Sequence, residues 1–178
     1  MTKPHENFAP RRVVVGTNEA GRSTVIYDGP SETRSVTPMW TINDMWQIDS
    51  VPPRAESEHS LTPGESILLP PMGGVSWRVT MFPPDRDLNP EDDFAAAMSV
   101  LQASDAVDDG EDAPPGMHVT DTLDIVTVIS GEMTAIFEEG ETVLHPGDTL
   151  IQRGTKHAWS NRTSEPCVLA FTMMPALR

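Results

Sequence analysis

Apolar and polar residues alternate with a period of two in short stretches along most of this chain, the spacing of strands that bury one face. The clearest stretch is VSWRVTMF at 75–82, with Val75, Trp77, Val79 and Met81 on one face and Ser76, Arg78 and Thr80 on the other. Similar runs stand at 13–17, 23–29, 39–48 and 66–70, and Trp40, Ile42, Trp46 and Ile48 share a parity in the third. After residue 117 the texture returns, predicting strands near 118–129, 133–138, 141–145, 149–152, 157–161 and 167–174. Turn signals separate them: SGE at 130–132, EEGE at 138–141 and HPGD at 145–148. Gly131, Gly147 and Gly154 read as turn residues and not as a phosphate loop, since no helical pattern follows any of them. Many short strands with close Gly and Pro turns predict an all-β barrel or sandwich.

One stretch breaks the pattern. NPEDDFAAAMSVLQ, from Asn89, spaces Phe94, Met98 and Leu101 at four and three residues, which predicts a helix near 90–103 with one apolar face. Asn89 can cap it, Pro90 suits its first position, and acids occupy its first turn. The expected organisation is one structural domain in three parts. Residues 1–84 form an N-terminal arm and flanking strands, 85–117 an acidic linker with the short helix, and 118–178 the barrel core.

The net charge is −15, and ten acidic residues against one base, Arg86, lie between Asp85 and Asp112. That stretch reads as a solvated linker. A chain so acidic is repelled by phosphate backbones and anionic lipid, so neither nucleic acid nor membrane is an expected partner. No apolar run nears the roughly 20 residues that span a bilayer, and MTKPHENFAPRR lacks the apolar core of a signal peptide. One cysteine, Cys167 within CVLAF, excludes an internal disulfide and suits a reducing cytoplasm as a buried thiol. The ten methionines suit irregular core gaps. His5, His59 and His145 are expected at the surface.

Two segments, MHVTDTLDIVTVISGE and LHPGDTLIQRGTKHAWSN, resemble the two motifs of the cupin superfamily. In the first, His118, Thr120, Asp124 and Gly131 hold the register of His-x-His, Glu and Gly, with Thr120 replacing the second His and Asp124 the Glu. In the second, Gly154, His157 and Asn161 are in register, Gln152 replaces the proline, and the spacing from Gly147 is one residue short. Fifteen residues separate Gly131 from Gly147. The resemblance implies a jelly-roll β-barrel, commonly dimeric, with a ligand or metal inside.

The residue types support an interior site. On a strand His118, Thr120, Thr122 and Asp124 share one face, and burying such groups unpaired costs about 1–3 kcal/mol each. That face therefore needs water, a metal or a ligand. His118, Asp124 and His157 would supply the two-imidazole, one-carboxylate set that holds iron, manganese, nickel or zinc. The same residues could serve a pocket without metal, with His118 or His157 as proton carrier. Trp159 either stacks on a planar substrate or fills core. Trp77 is core or touches the substrate, and Arg78 is solvated or clamps a substrate carboxylate. Asn161 is expected to order the turn after its strand. These readings predict a small-molecule enzyme: a lyase, isomerase or decarboxylase acting on a small polar or aromatic organic acid. The alternatives are a metal-dependent dioxygenase and a binding module without catalysis. A homodimer is expected, because isolated strands at 13–27 need cover.

Overall fold

Left-handed glycines end the strands where the sequence places turns. Gly131, at φ +79°, is the tightest: a Cβ there would lie 2.7 Å from the Pro166 carbonyl oxygen and 2.8 Å from the Cys167 Cα. Only glycine fits that approach. The computed structural model describes residues 4–108, 110 and 113–178. Asp109, Glu111 and Asp112 of the acidic run lie outside the described residues.

The strands are β1 Arg11–Thr17, β2 Ser23–Pro30, β3 Arg34–Val36, β4 Thr41–Ile48, β5 Val75–Phe82, β6 Thr122–Ser130, β7 Met133–Phe137, β8 Glu141–Leu144, β9 Thr149–Arg153, β10 His157–Ser160 and β11 Cys167–Pro175, with helix α1 at Pro90–Val100. They form a six-stranded sheet in the order β3-β4-β5-β11-β6-β9, a three-stranded sheet β10-β7-β8 and a hairpin β1-β2. The fold is all-β, of the cupin jelly-roll kind.

Strand β5 keeps the predicted alternation with its sign inverted. Ser76, Arg78, Thr80 and Phe82 are buried, whereas Trp77 is 39% exposed. Apolar side chains stand on both faces of this sheet, so an apolar parity alone does not say which side faces the site. Outside, Val79 packs with Met45, Val168, Met81 and Phe8 from the N-terminal segment. A bulge between Asp44 and Trp46 of β4 has a similar effect. Trp40 and Ile42 join the main core, while Trp46 pairs in register with outward Trp77.

The main core joins Trp40, Ile42 and Phe82 to Val126, Val128 and Leu169, and to Met133 and Ala135 of the second sheet. Helix α1 packs Phe94 and Met98 into it, joined by its C-cap residue Leu101, as the spacing predicts. Each such burial is worth roughly 1.5–3 kcal/mol. The acidic segment is thus a packed cover as well as a connection. Asn89 stands at the N-cap without a capping side-chain bond; its side chain donates to Asp92 Oδ2 at 2.7 Å, and Asp93 Oδ2 accepts its N–H at 2.8 Å.

Three smaller expectations fail. Residues 66–70 form no strand. His5 is fully buried and bonds through Nε2 to the Thr37 carbonyl at 3.1 Å, while its own carbonyl accepts the Thr41 hydroxyl. The run from 118 is not one strand: His118 makes isolated bridges to Val107 and His157, and β6 begins only at Thr122. Cys167 is a buried free thiol, and Asn161 orders its turn by accepting from Thr163 and donating to the Glu165 carbonyl at 2.9 Å.

Candidate functional site

His118 and His157 face each other across an antiparallel pairing. Each main-chain N–H donates to the other's carbonyl at 3.0 Å, so both side chains leave the same side of the backbone. Their ring centres lie 4.3 Å apart at 48°. His118 Nδ1 meets the Gly116 carbonyl at 2.9 Å and His157 Nδ1 the Thr155 carbonyl at 3.0 Å. A carbonyl only accepts, so each Nδ1 carries the hydrogen and each Nε2 keeps a free lone pair. Gly116 adopts φ +83°, a conformation that glycine takes without strain. Burial, and then the neighbouring His118, pull the His157 pKa down to about 3; burial also lowers that of His118, against the Gly116 bond. Both rings are neutral at pH 7.

Asp124 on β6 is buried, and that burial lifts its pKa to about 6 against the opposing effects of Thr122 and Arg78. Its Oδ1 has no partner among the described residues. Thr120 and Thr122 share a hydroxyl hydrogen bond of 2.7 Å. Arg78 is not solvated: it is 2% exposed, with Nε 2.9 Å from Asp44 Oδ1 and one Nη donating to the Ile67 carbonyl at 2.9 Å. The other, Nη1, has no partner among the described residues. Trp159 on β10 stands edge-on to His157 and to Phe171.

Arg78, His118, Thr120, Asp124, His157 and Trp159 line one interior cavity of about 60 Å³. His118, Trp159, Trp40 and Phe82 also line a second cavity of about 210 Å³, which Phe94 and Pro114 to Gly116 border from outside. Thr122 is buried behind this site and does not line the inner cavity. Trp77 lies on the outer face and plays no part in it.

Sequence reading missed Asp44, Thr80 and Trp40 at this site. The signal for Asp44 was an acid between strand apolars in TINDMWQI, since a carboxylate seldom enters such a run unpaired. His118, Asp124 and His157 do not assemble as a ligand triad. Among the described residues no group of three or more His, Cys, Asp or Glu side chains is placed to hold a metal ion. Two imidazoles fall short of the three protein ligands usual in catalytic metal sites.

A largely apolar cavity with a few convergent polar groups is the usual form of a small-ligand pocket. Residues 106–173 match the family Cupin_2, Cupin domain, and the chain carries a cupin domain there. Two curated relatives come from Diaporthe leptostromiformis. Phomopsin biosynthesis cluster protein D is 38% identical over 71 residues, 39% of this chain and 36% of that protein. Phomopsin biosynthesis cluster protein C' is 39% identical over 66 residues, 36% of this chain and 33% of that protein. The chain thus spans about a third of the length of these relatives. Among solved structures, ectoine synthase from P. lautus aligns with TM-score 0.46 and 11% identity, over 83% of this chain and 72% of that one. A double-stranded β-helix protein from Klebsiella pneumoniae aligns with TM-score 0.45 and 16% identity, over 82% and 84%. Among the described residues no helix is long and apolar enough to cross a membrane.

Proposed function

We propose that this chain is a cupin-type enzyme, a lyase, isomerase or decarboxylase, that holds a small organic acid in the inner cavity. The observation that carries the reading is the paired His118 and His157, whose free Nε2 lone pairs accompany a buried guanidinium with an unused N–H. Arg78 receives the substrate carboxylate through Nη1, a charge-assisted bond at a buried side chain. One imidazole then takes a proton from the carbon beside that carboxylate. The electron pair left behind either forms a double bond to the next carbon as a leaving group there departs with its bonding pair, giving a lyase, or is reprotonated on the other face, giving an isomerase; in a decarboxylase the carboxylate instead leaves as CO2 and the same carbon takes up a proton. A bound anion beside the rings raises their affinity for the proton and so strengthens a base that burial has weakened. We infer further that the protein acts as a homodimer in the cytoplasm.

The test is to incubate the protein with a panel of small organic acids and follow the proton and carbon spectra by NMR. Turnover should vanish in His157→Gln while ligand binding persists, and binding itself should weaken in Arg78→Met. Turnover that survives both substitutions would overturn the proposal.

A further inference from the structure

The inner cavity offers unused hydrogen-bonding groups of both kinds. Arg78 Nη1 is a cationic donor without a partner, on a side chain that is almost wholly buried. Asp124 Oδ1 is an acceptor in the same condition, and the Nε2 lone pairs of His118 and His157 stand with it around one cavity. A carboxylate alone would satisfy Arg78 and leave Asp124 facing a second negative charge. An amine alone would satisfy Asp124 and leave Arg78 Nη1 without an acceptor, although Asp44 and the Ile67 carbonyl hold the rest of the guanidinium. Either residue of unmet bonding is costly in a buried place.

We propose that the ligand is a zwitterion with adjacent carboxylate and ammonium groups, an amino-acid-like head that carries an apolar tail. This rests on the carboxylate reading above and adds the second charge. The carboxylate lies on Arg78 Nη1. The ammonium's three N–H groups meet Asp124 Oδ1, one imidazole Nε2 and the Thr120 hydroxyl oxygen, and the second imidazole stays free as the proton acceptor. Overall charge points the same way: a chain of net charge −15 repels a bare anion but not a ligand whose charges cancel.

Size assigns the tail. A cavity of about 60 Å³ has the room of about two water molecules, enough for a charged head and little else. The remainder must pass His118 and Trp159 into the 210 Å³ cavity, where Trp40, Phe82, Phe94 and Leu88 form the walls. An engineered apolar cavity of about 150 Å³ holds benzene, so a phenyl-sized tail fits here.

Isothermal titration of the full chain with three probes of one skeleton tests this: phenylalanine in both enantiomers, 3-phenylpropanoate and 2-phenylethylamine. One enantiomer of phenylalanine should bind at least tenfold more tightly than either singly charged probe. Asp124→Asn should erase that advantage by weakening phenylalanine binding at least tenfold, while 3-phenylpropanoate binds more tightly because the opposing charge is gone. Equal binding of 3-phenylpropanoate and phenylalanine overturns the zwitterion and spares the carboxylate reading. Equal binding of 2-phenylethylamine and phenylalanine, unchanged in Arg78→Met, overturns both. Silence from all three probes overturns the head-and-tail assignment. Tight zwitterion binding with no turnover of any acid supports this inference and removes the enzymatic reading.

Discussion

His118 and His157 are joined twice through the main chain, N–H to carbonyl at 3.0 Å in each direction, and their rings stand 4.3 Å apart. The spacing of the pair is therefore set by strand pairing and not by loop placement. Two imidazoles this close, both buried, cannot both hold a proton at ordinary pH.

Acid should therefore weaken the fold through these rings. The His157 pKa falls from 6.5 to about 3 on folding. The stability it contributes is full above 6.5 and is lost as pH drops from there through about 3, at up to about 1.4 kcal/mol per pH unit. His157→Gln should flatten the decline of denaturation midpoint between pH 6.5 and 4. A variant that declines as steeply as the parent shows that the ring is not buried neutral.

Asp124 acts in the opposite sense. Its pKa is raised from 3.8 to about 6, so its contribution is most favourable below 3.8 and is lost as pH rises through 6. Asp124→Asn should stabilise the protein by about 1–3 kcal/mol at pH 7.5, and the gain should disappear by pH 4. Chemical denaturation at both pH values reads this; an equal gain at pH 4 would sink it.

Much of the fold was legible because its signals are local. The turn glycines, the strands after residue 121 and the apolar face of α1 depend on neighbours within a few residues. Arg78 was misread because its burial depends on Asp44 and Ile67, partners that only the folded sheet brings near. Trp77 and Trp46 were misplaced because a sheet with apolar side chains on both faces, and bulged in β4, breaks the link between parity and interior. His118, Asp124 and His157 do line one cavity, yet residues 119–121 carry the chain from His118, bridged to β10 of the three-stranded sheet, to Asp124 in the six-stranded sheet. Parity along a single imagined strand could not show that separation.

The buried pair Arg78 and Asp44, each 2% exposed, should show strong coupling. Arg78→Met leaves a buried carboxylate uncompensated and should cost about 3–5 kcal/mol. Adding Asp44→Asn should recover most of that loss, since the orphaned charge goes with it. Urea denaturation of the two single variants and the double variant measures the coupling. Additive losses would mean that the two side chains do not interact.

Metal retention should be weak, because two imidazoles converge without a third protein ligand. Protein dialysed without chelator should carry well under one equivalent of iron, manganese, nickel or zinc by mass spectrometry, and chelator should not alter its melting temperature. Stoichiometric metal that is lost in both His118→Ala and His157→Ala would reverse this, and would mean that Asp124 or Thr120 swings in to complete the site.

The outer face of the six-stranded sheet argues for a homodimer. Trp77, Thr172, Ile125 and Ile151 form one transverse row across β5, β11, β6 and β9, and Trp77, Ile125 and Ile151 are exposed. The β1-β2 hairpin exposes Val13, Val15, Val25 and Ile26. A monomer would leave two apolar surfaces in water, and contiguous patches of this kind usually mark an interface. Two-fold pairing lets each hairpin cover the other copy's sheet, with both surfaces buried by one self-complementary contact. The chain should run as a dimer by light scattering at micromolar concentration. Ile125→Lys, on the outer face away from the cavity, should give a folded monomer with ligand binding intact. A parent protein that is monomeric at that concentration refutes the pairing, and an Ile125→Lys dimer moves the interface off this face.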